Sequence, residues 1–181
     1  MRTWSGASVA ATDSWPLVIC DAGPLIHLDE IGCLDLLADF PAVLVPEQVQ
    51  SEVARHRPTA LTHPGAKLRF VPVAISSEPQ LRALVKAFSL ASGEQAALSI
   101  LKHHPDAVLL TDDAAARLAA KALGFRTHGS LGVLLRSIRV GRRTKTSVLE
   151  VLHELPLRST LHIKASLLQE IIQQVESLSE S

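Results

Sequence analysis

The 181-residue sequence has no tyrosine and only four phenylalanines and two tryptophans. A site that binds single strands by stacking successive bases on aromatic faces is therefore not expected. Cysteine is scarce as well: Cys20 and Cys33 sit in short apolar stretches, without a CxxC pair or the dense spacing of a disulfide scaffold. A reducing compartment, the cytoplasm, is the expected setting. Net charge is also missing, since 18 Lys and Arg balance 18 Asp and Glu, so no overall field draws in a polyanion. Any contact with nucleic acid must come from a local patch. No apolar run approaches the ~20 residues of a membrane span, and residues 1–16 lack the apolar core of a signal peptide. No membrane association is expected.

What is present is aliphatic. Hydrophobic residues make up 47% of the chain, enough for the core of one domain. Leu17 to Cys20 and Ala42 to Val45 read as short buried strands, and Leu68 to Val73, Asp106 to Leu110 and Phe125 to Thr127 as further strands. Between them lie helical stretches: Leu25 to Ile31, stopped by Gly32; Leu34 to Leu37; Pro46 to His56; Gln80 to Phe88; Gly93 to His103, with Ser92 and Gln95 spaced as a capping box; Ala114 to Leu123; and Leu131 to Val140. This alternation predicts an α/β fold in three layers, with a mainly parallel central sheet between helices. Residues 1–16 read as a flexible segment, 17–141 as the main domain, and 142–181 as a helical extension packed on it. Within the extension, helices are expected over Lys145 to Leu155 and Thr160 to Leu178, separated by Pro156, with Ser159 as N-cap of the second. Leu161, Leu168, Ile171, Ile172 and Val175 form its apolar stripe.

In open parallel sheets ligands collect beyond the carboxyl ends of the strands. Asp21 and the pair Asp112-Asp113 follow strands directly, although an Asp in such a place serves equally well as an N-cap. Glu94 adds a stronger signal: three, four and seven residues beyond it stand Ala97, Leu98 and Leu101, so an acid begins a core-facing stripe. Glu52, beside Val53 and three residues after Val49, falls at an inward or boundary position in the same way. Carboxylates drawn together at one sheet edge repel unless a cation neutralises them. With no accompanying Cys or His ligand motif, hard oxygen donors suit Mg²⁺ or Mn²⁺ better than zinc.

The segments Asp21-Ala22-Gly23-Pro24-Leu25-Ile26, Gly93-Glu94-Gln95-Ala96-Ala97-Leu98 and Leu110-Thr111-Asp112-Asp113, with Glu52 between the first two, resemble the ordered acidic set of PIN domains. The last of them continues through Ala116-Arg117 to Gly129-Ser130-Leu131-Gly132-Val133-Leu134-Leu135, which looks like a VapC-related subgroup. The resemblance covers roughly residues 17–141. Two positions depart from it: Gly23 stands where many PIN domains carry Ser, Thr or Asn, and the third acid, Glu94, is often Asp. Haloacid-dehalogenase-like phosphatases and receiver domains fit less well, because Ala22 and Gly23 stand where those folds want a second acid.

The resemblance implies Mg²⁺- or Mn²⁺-dependent hydrolysis of RNA phosphodiester bonds, with Asp21, Glu52, Glu94 and Asp112 as catalytic residues. Metal ligands would come from Asp21, Glu94, Asp112 and Asp113, while Glu52 would orient a water. It further implies a VapBC-like toxin, held by a cognate antitoxin and compatible with a homodimer. For RNA, the densest basic run is Arg136, Arg139, Arg142, Arg143 and Lys145, with Arg117 and Lys121 one turn apart on an earlier helix. The alternative is a non-catalytic PIN-like module that binds RNA or a protein.

Overall fold

The computed structural model describes residues 17–178; the segment 1–16, expected to be flexible, lies outside the described residues. Five strands form one sheet in the order β3-β2-β1-β4-β5: β1 (Val18–Cys20), β2 (Val43–Pro46), β3 (Leu68–Val71), β4 (Val108–Leu110) and β5 (Arg126–His128). Every neighbouring pair is parallel, with Val18 opposite both Val43 and Val108. The strands are short, and the central ones are apolar at every position because helices cover both faces.

The side-chain period of two divides the core. Val18, Cys20, Val43, Val45, Val108 and Leu110 point into one cluster, shared with α1 (Ala22–Glu30), α2 (Glu47–His56), α6 (Ser130–Arg139), α7 (Lys145–Arg158) and α8 (Ala165–Glu176). Ile19 and Leu109 point the other way, against α3 (Pro79–Phe88), α4 (Ser92–Leu101) and α5 (Ala114–Ala122). The result is the expected three-layer α/β/α arrangement.

Several boundaries differ from the sequence reading. Helix α1 begins at Ala22, two residues before Pro24, because a Pro in the first turn removes only an N–H that has no intrahelical partner. Helix α4 is capped at Ala91, not Ser92, and Glu94 rather than Gln95 is its N3 residue. Pro156 does not separate two helices; it sits inside the last turn of α7. Ser159 is not an N-cap: α8 starts at Ala165, after an extended stretch. Val148, Leu152 and Leu155 of α7 and Leu168, Ile172 and Val175 of α8 are buried in the same cluster as the central strands.

The strand order reverses between β1 and β4. In parallel sheets this switch point leaves a crevice beyond the carboxyl ends of the two strands, and Asp21 and Asp112 follow β1 and β4 there.

Candidate active site

Asp21 occupies the N-cap position of α1, yet its side chain makes no capping bond. The carboxylate instead accepts a hydrogen bond from Thr111 Oγ1 at 2.9 Å, across the switch point. The backbone holds the two strand ends together as well, with Asp21 N donating to Leu110 O at 2.9 Å. Asp21 is buried, and burial pushes its carboxyl up to about 6, against hydrogen bonds from Ala22 and Thr111 and with the help of the charges on Glu52 and Asp113.

Glu94 is brought in by α4, whose Ala97, Leu98 and Leu101 are fully buried, as the helical stripe predicts. Its carboxylate accepts from Ala91 N at 2.6 Å and so covers one open N–H of the helix start. Ala91 has no side-chain acceptor to complete the reciprocal bond. Burial raises Glu94 to about 7, opposed by the Ala91 bond and reinforced by Asp21, Asp113 and Glu52. Glu52 comes from α2, between the fully buried Val49 and Val53. Gly93 is the spacer of this group: a Cβ there would stand 3.1 Å from Val49 Cγ2, 3.5 Å from Glu52 Oε2 and 3.8 Å from Asp21 Oδ1. The absence of a side chain lets α4 close on both acids.

The two acids after β4 have different fates. Asp113 caps α5, accepting from Ala116 N at 2.8 Å through Oδ1. Asp112 is enclosed: Oδ1 accepts from Ser130 N at 2.8 Å, and Oδ2 contacts Ser130 Oγ at 2.5 Å and His27 Nδ1 at 2.8 Å. Burial raises its carboxyl, but the bonds from His27 and Ser130 outweigh that and hold it below the usual range. Gly129 permits this enclosure, since a Cβ there would lie 2.5 Å from Asp112 Oδ1. The charge of Asp113 is among those that raise Asp21 and Glu94.

All five acids, Asp21, Glu52, Glu94, Asp112 and Asp113, line one cavity of about 350 Å³. Its wall also includes His27 from α1 and Thr160, Leu161 and His162 from the stretch between α7 and α8. The sequence reading did not single out His27, Thr111, Ser130, Thr160 or His162 as site residues. His27 had a signal in hindsight, six residues beyond Asp21 on a helix leading away from a strand end. The others become visible only once the chain is folded.

The expected cationic residues are largely engaged within the protein. Arg136 is buried, its guanidinium 3.1 Å from Asp39 and 5.3 Å from the centre of the Phe40 ring. Arg142 meets Asp39 at 2.9 Å, Arg143 grips both oxygens of Asp35 at 2.8 Å, and Lys145 donates to Glu176 O and Leu178 O at the end of α8. Arg117 donates to Thr111 O at 3.1 Å, beside the site, whereas Lys121 and Arg139 are exposed.

The chemistry of these acids fits a hard divalent cation: they offer oxygen ligands only, in a site where burial, reinforced by neighbouring carboxylates, drives two carboxyls toward neutrality. The side chains are not yet arranged around one, because among the described residues no three His, Cys, Asp or Glu are grouped so as to hold a metal ion. Glu94 is turned to Ala91 N, and Asp112 is turned to His27 and Ser130.

A family model described as a PIN domain matches residues 17–177. No curated protein and no solved structure matches the chain.

Proposed function

Because the chain belongs to the PIN-domain family, whose members are generally nucleases, we propose that it is a metal-dependent endoribonuclease and the toxin of a VapBC-like pair. The observation that carries the reading is the convergence of Asp21, Glu52, Glu94 and Asp113 on one cavity at the switch point of a parallel sheet. Four acids from four separate stretches of chain serve no common structural purpose there. Their mutual repulsion is a cost that a bound cation removes.

Asp21, Glu94 and Asp113 are the side chains that would hold Mg²⁺ or Mn²⁺, with Asp112 behind them. When bound, such an ion supplies a water of lowered pKa and a counter-charge for the phosphoryl oxygens. The chain's own contribution is orientation. Thr111 fixes the Asp21 carboxylate, and His27 and Ser130 hold Asp112 so that it ties the ends of β4, α1 and α6 together. Glu52, partly exposed in the cavity, would orient the attacking water by accepting its hydrogen bond. Ser130 Oγ is buried and donates to Asp112, so it is not offered as a covalent nucleophile.

As a VapC-like toxin the protein would act on cytoplasmic RNA, form homodimers and be held inactive by an antitoxin encoded next to it. No described helix is long and apolar enough to cross a membrane. The test is cleavage of mixed RNA in Mn²⁺ by the wild type and by Asp21→Asn, side by side. The amide keeps the shape and removes the charge, so cleavage should fall roughly a hundredfold or more with the fold intact. Undiminished cleavage by Asp21→Asn would place the activity outside this cavity.

A further inference from the structure

The stretch between α7 and α8 lines the carboxylate cavity, and one residue of α1 makes its side-chain hydrogen bonds to it. Glu30 accepts hydrogen bonds from Ser159 Oγ at 2.8 Å, Thr160 N at 2.7 Å and Thr160 Oγ1 at 2.9 Å. An acid in the last turn of a helix opposes the helix dipole, so Glu30 stands where the dipole alone would disfavour it. Burial raises its carboxyl, but these bonds together with the His27 charge outweigh it and hold the group below its ordinary value.

Beyond this clasp the chain is extended, and its exposure alternates. Leu161 and Ile163 pack against the main core, while Thr160 and His162 are exposed. Thr160, Leu161 and His162 all line the cavity. Of the described side chains lining it, only His27 and His162 can carry positive charge, and His27 is committed to Asp112. His162 has no hydrogen bond or ion pair among the described residues. Among the described residues it is therefore the one imidazole lining the cavity with a donor to offer a ligand.

A phosphodiester approaching five carboxylates needs cationic or donor groups from the chain as well as the metal, and Arg136, Arg142 and Arg143 are held by Asp39 and Asp35. We propose that Ser159–Ile163 is a substrate-gripping rim in which His162 donates to a phosphate of the bound strand and Glu30 is its positioning residue. The inference rests on the nuclease reading, and names the side of the cavity from which the strand is held.

The experiment compares wild type, His162→Ala, His162→Gln, Glu30→Gln and the double variant Glu30→Gln/His162→Ala on a fluorescent single-stranded RNA in Mn²⁺. Cleavage gives KM and kcat, and anisotropy of the same RNA gives Kd whether or not it is cut. His162→Ala should raise KM and Kd about tenfold, the scale of one hydrogen bond to a charged group, with kcat within about twofold. His162→Gln, which keeps an N–H donor, should recover most of the affinity. Glu30→Gln should weaken binding in the same direction, and the double variant should be no worse than His162→Ala, because both changes act through one contact.

Unchanged KM and Kd in His162→Ala overturn the proposal, as does an additive double variant. A wild type that binds the RNA without cutting it, and loses that binding in His162→Ala, supports the rim and overturns the nuclease reading. A wild type that cuts, with His162→Ala indistinguishable from it, does the reverse.

Discussion

Glu94 performs two tasks at once. As the N3 residue of α4 it covers Ala91 N, and as a cavity acid it adds a charge beside Asp21, Glu52 and Asp113. Turning the carboxylate toward a metal ion would weaken the cap, because Oε2 is the oxygen that accepts from Ala91 N. Its carboxyl, raised to about 7 from an ordinary 4.5, gives a sign that can be measured. Between those values the folded protein holds a proton that the unfolded chain has released, so stability is lost as pH rises through the interval. Asp21, raised to about 6, contributes with the same sign. His128, pushed down by burial and by Arg126, Arg139 and Arg117, opposes them, but it cancels in a comparison of variants. In chelator, wild type should therefore lose stability relative to Glu94→Gln between pH 5 and pH 8, and parallel denaturation midpoints across that range would contradict the account.

At the scale of elements, the strands and most helices were legible because apolar period, Gly stops and Pro starts agreed with one another. The inward placement of Glu52 and Glu94 was legible for the same reason, through Val49, Val53, Ala97, Leu98 and Leu101. What was not legible depended on tertiary partners. The basic run looked like one nucleic-acid face, and only the fold shows Arg136 buried against Asp39, which lies 97 residues earlier. Arg136→Ala should accordingly cost about 1–3 kcal/mol in chemical denaturation, by removing the buried partner of Asp39 and leaving it only the exposed Arg142. A loss below about 0.5 kcal/mol would show that Arg136 behaves as a surface residue. The junction of β5 and α6 depended equally on a distant partner, because Gly129 is needed only where Asp112 Oδ1 comes within 2.5 Å of a Cβ position. Gly129→Ala should destabilise by about 1–3 kcal/mol through forced displacement, and should lower cleavage as well. Full stability in that variant would mean that the junction yields freely.

For the molecule as a whole, the switch point between β1 and β4 gathers acids from α2, α4 and the two strand ends, and the chain from α7 to α8 contributes to the cavity wall. The fold holds the carboxylates together, and a cation that binds only the folded state should stabilise it. Mn²⁺ at about 100 times its Kd should raise Tm by roughly 5–10 °C, and Asp21→Asn should abolish the shift. The most direct measurement is the anomalous scattering of manganese in crystals grown with Mn²⁺. The account predicts a peak within bonding distance of Asp21, with Glu94 turned off Ala91 N and toward the ion. A cavity without a peak, and Glu94 still bound to Ala91 N, would contradict it.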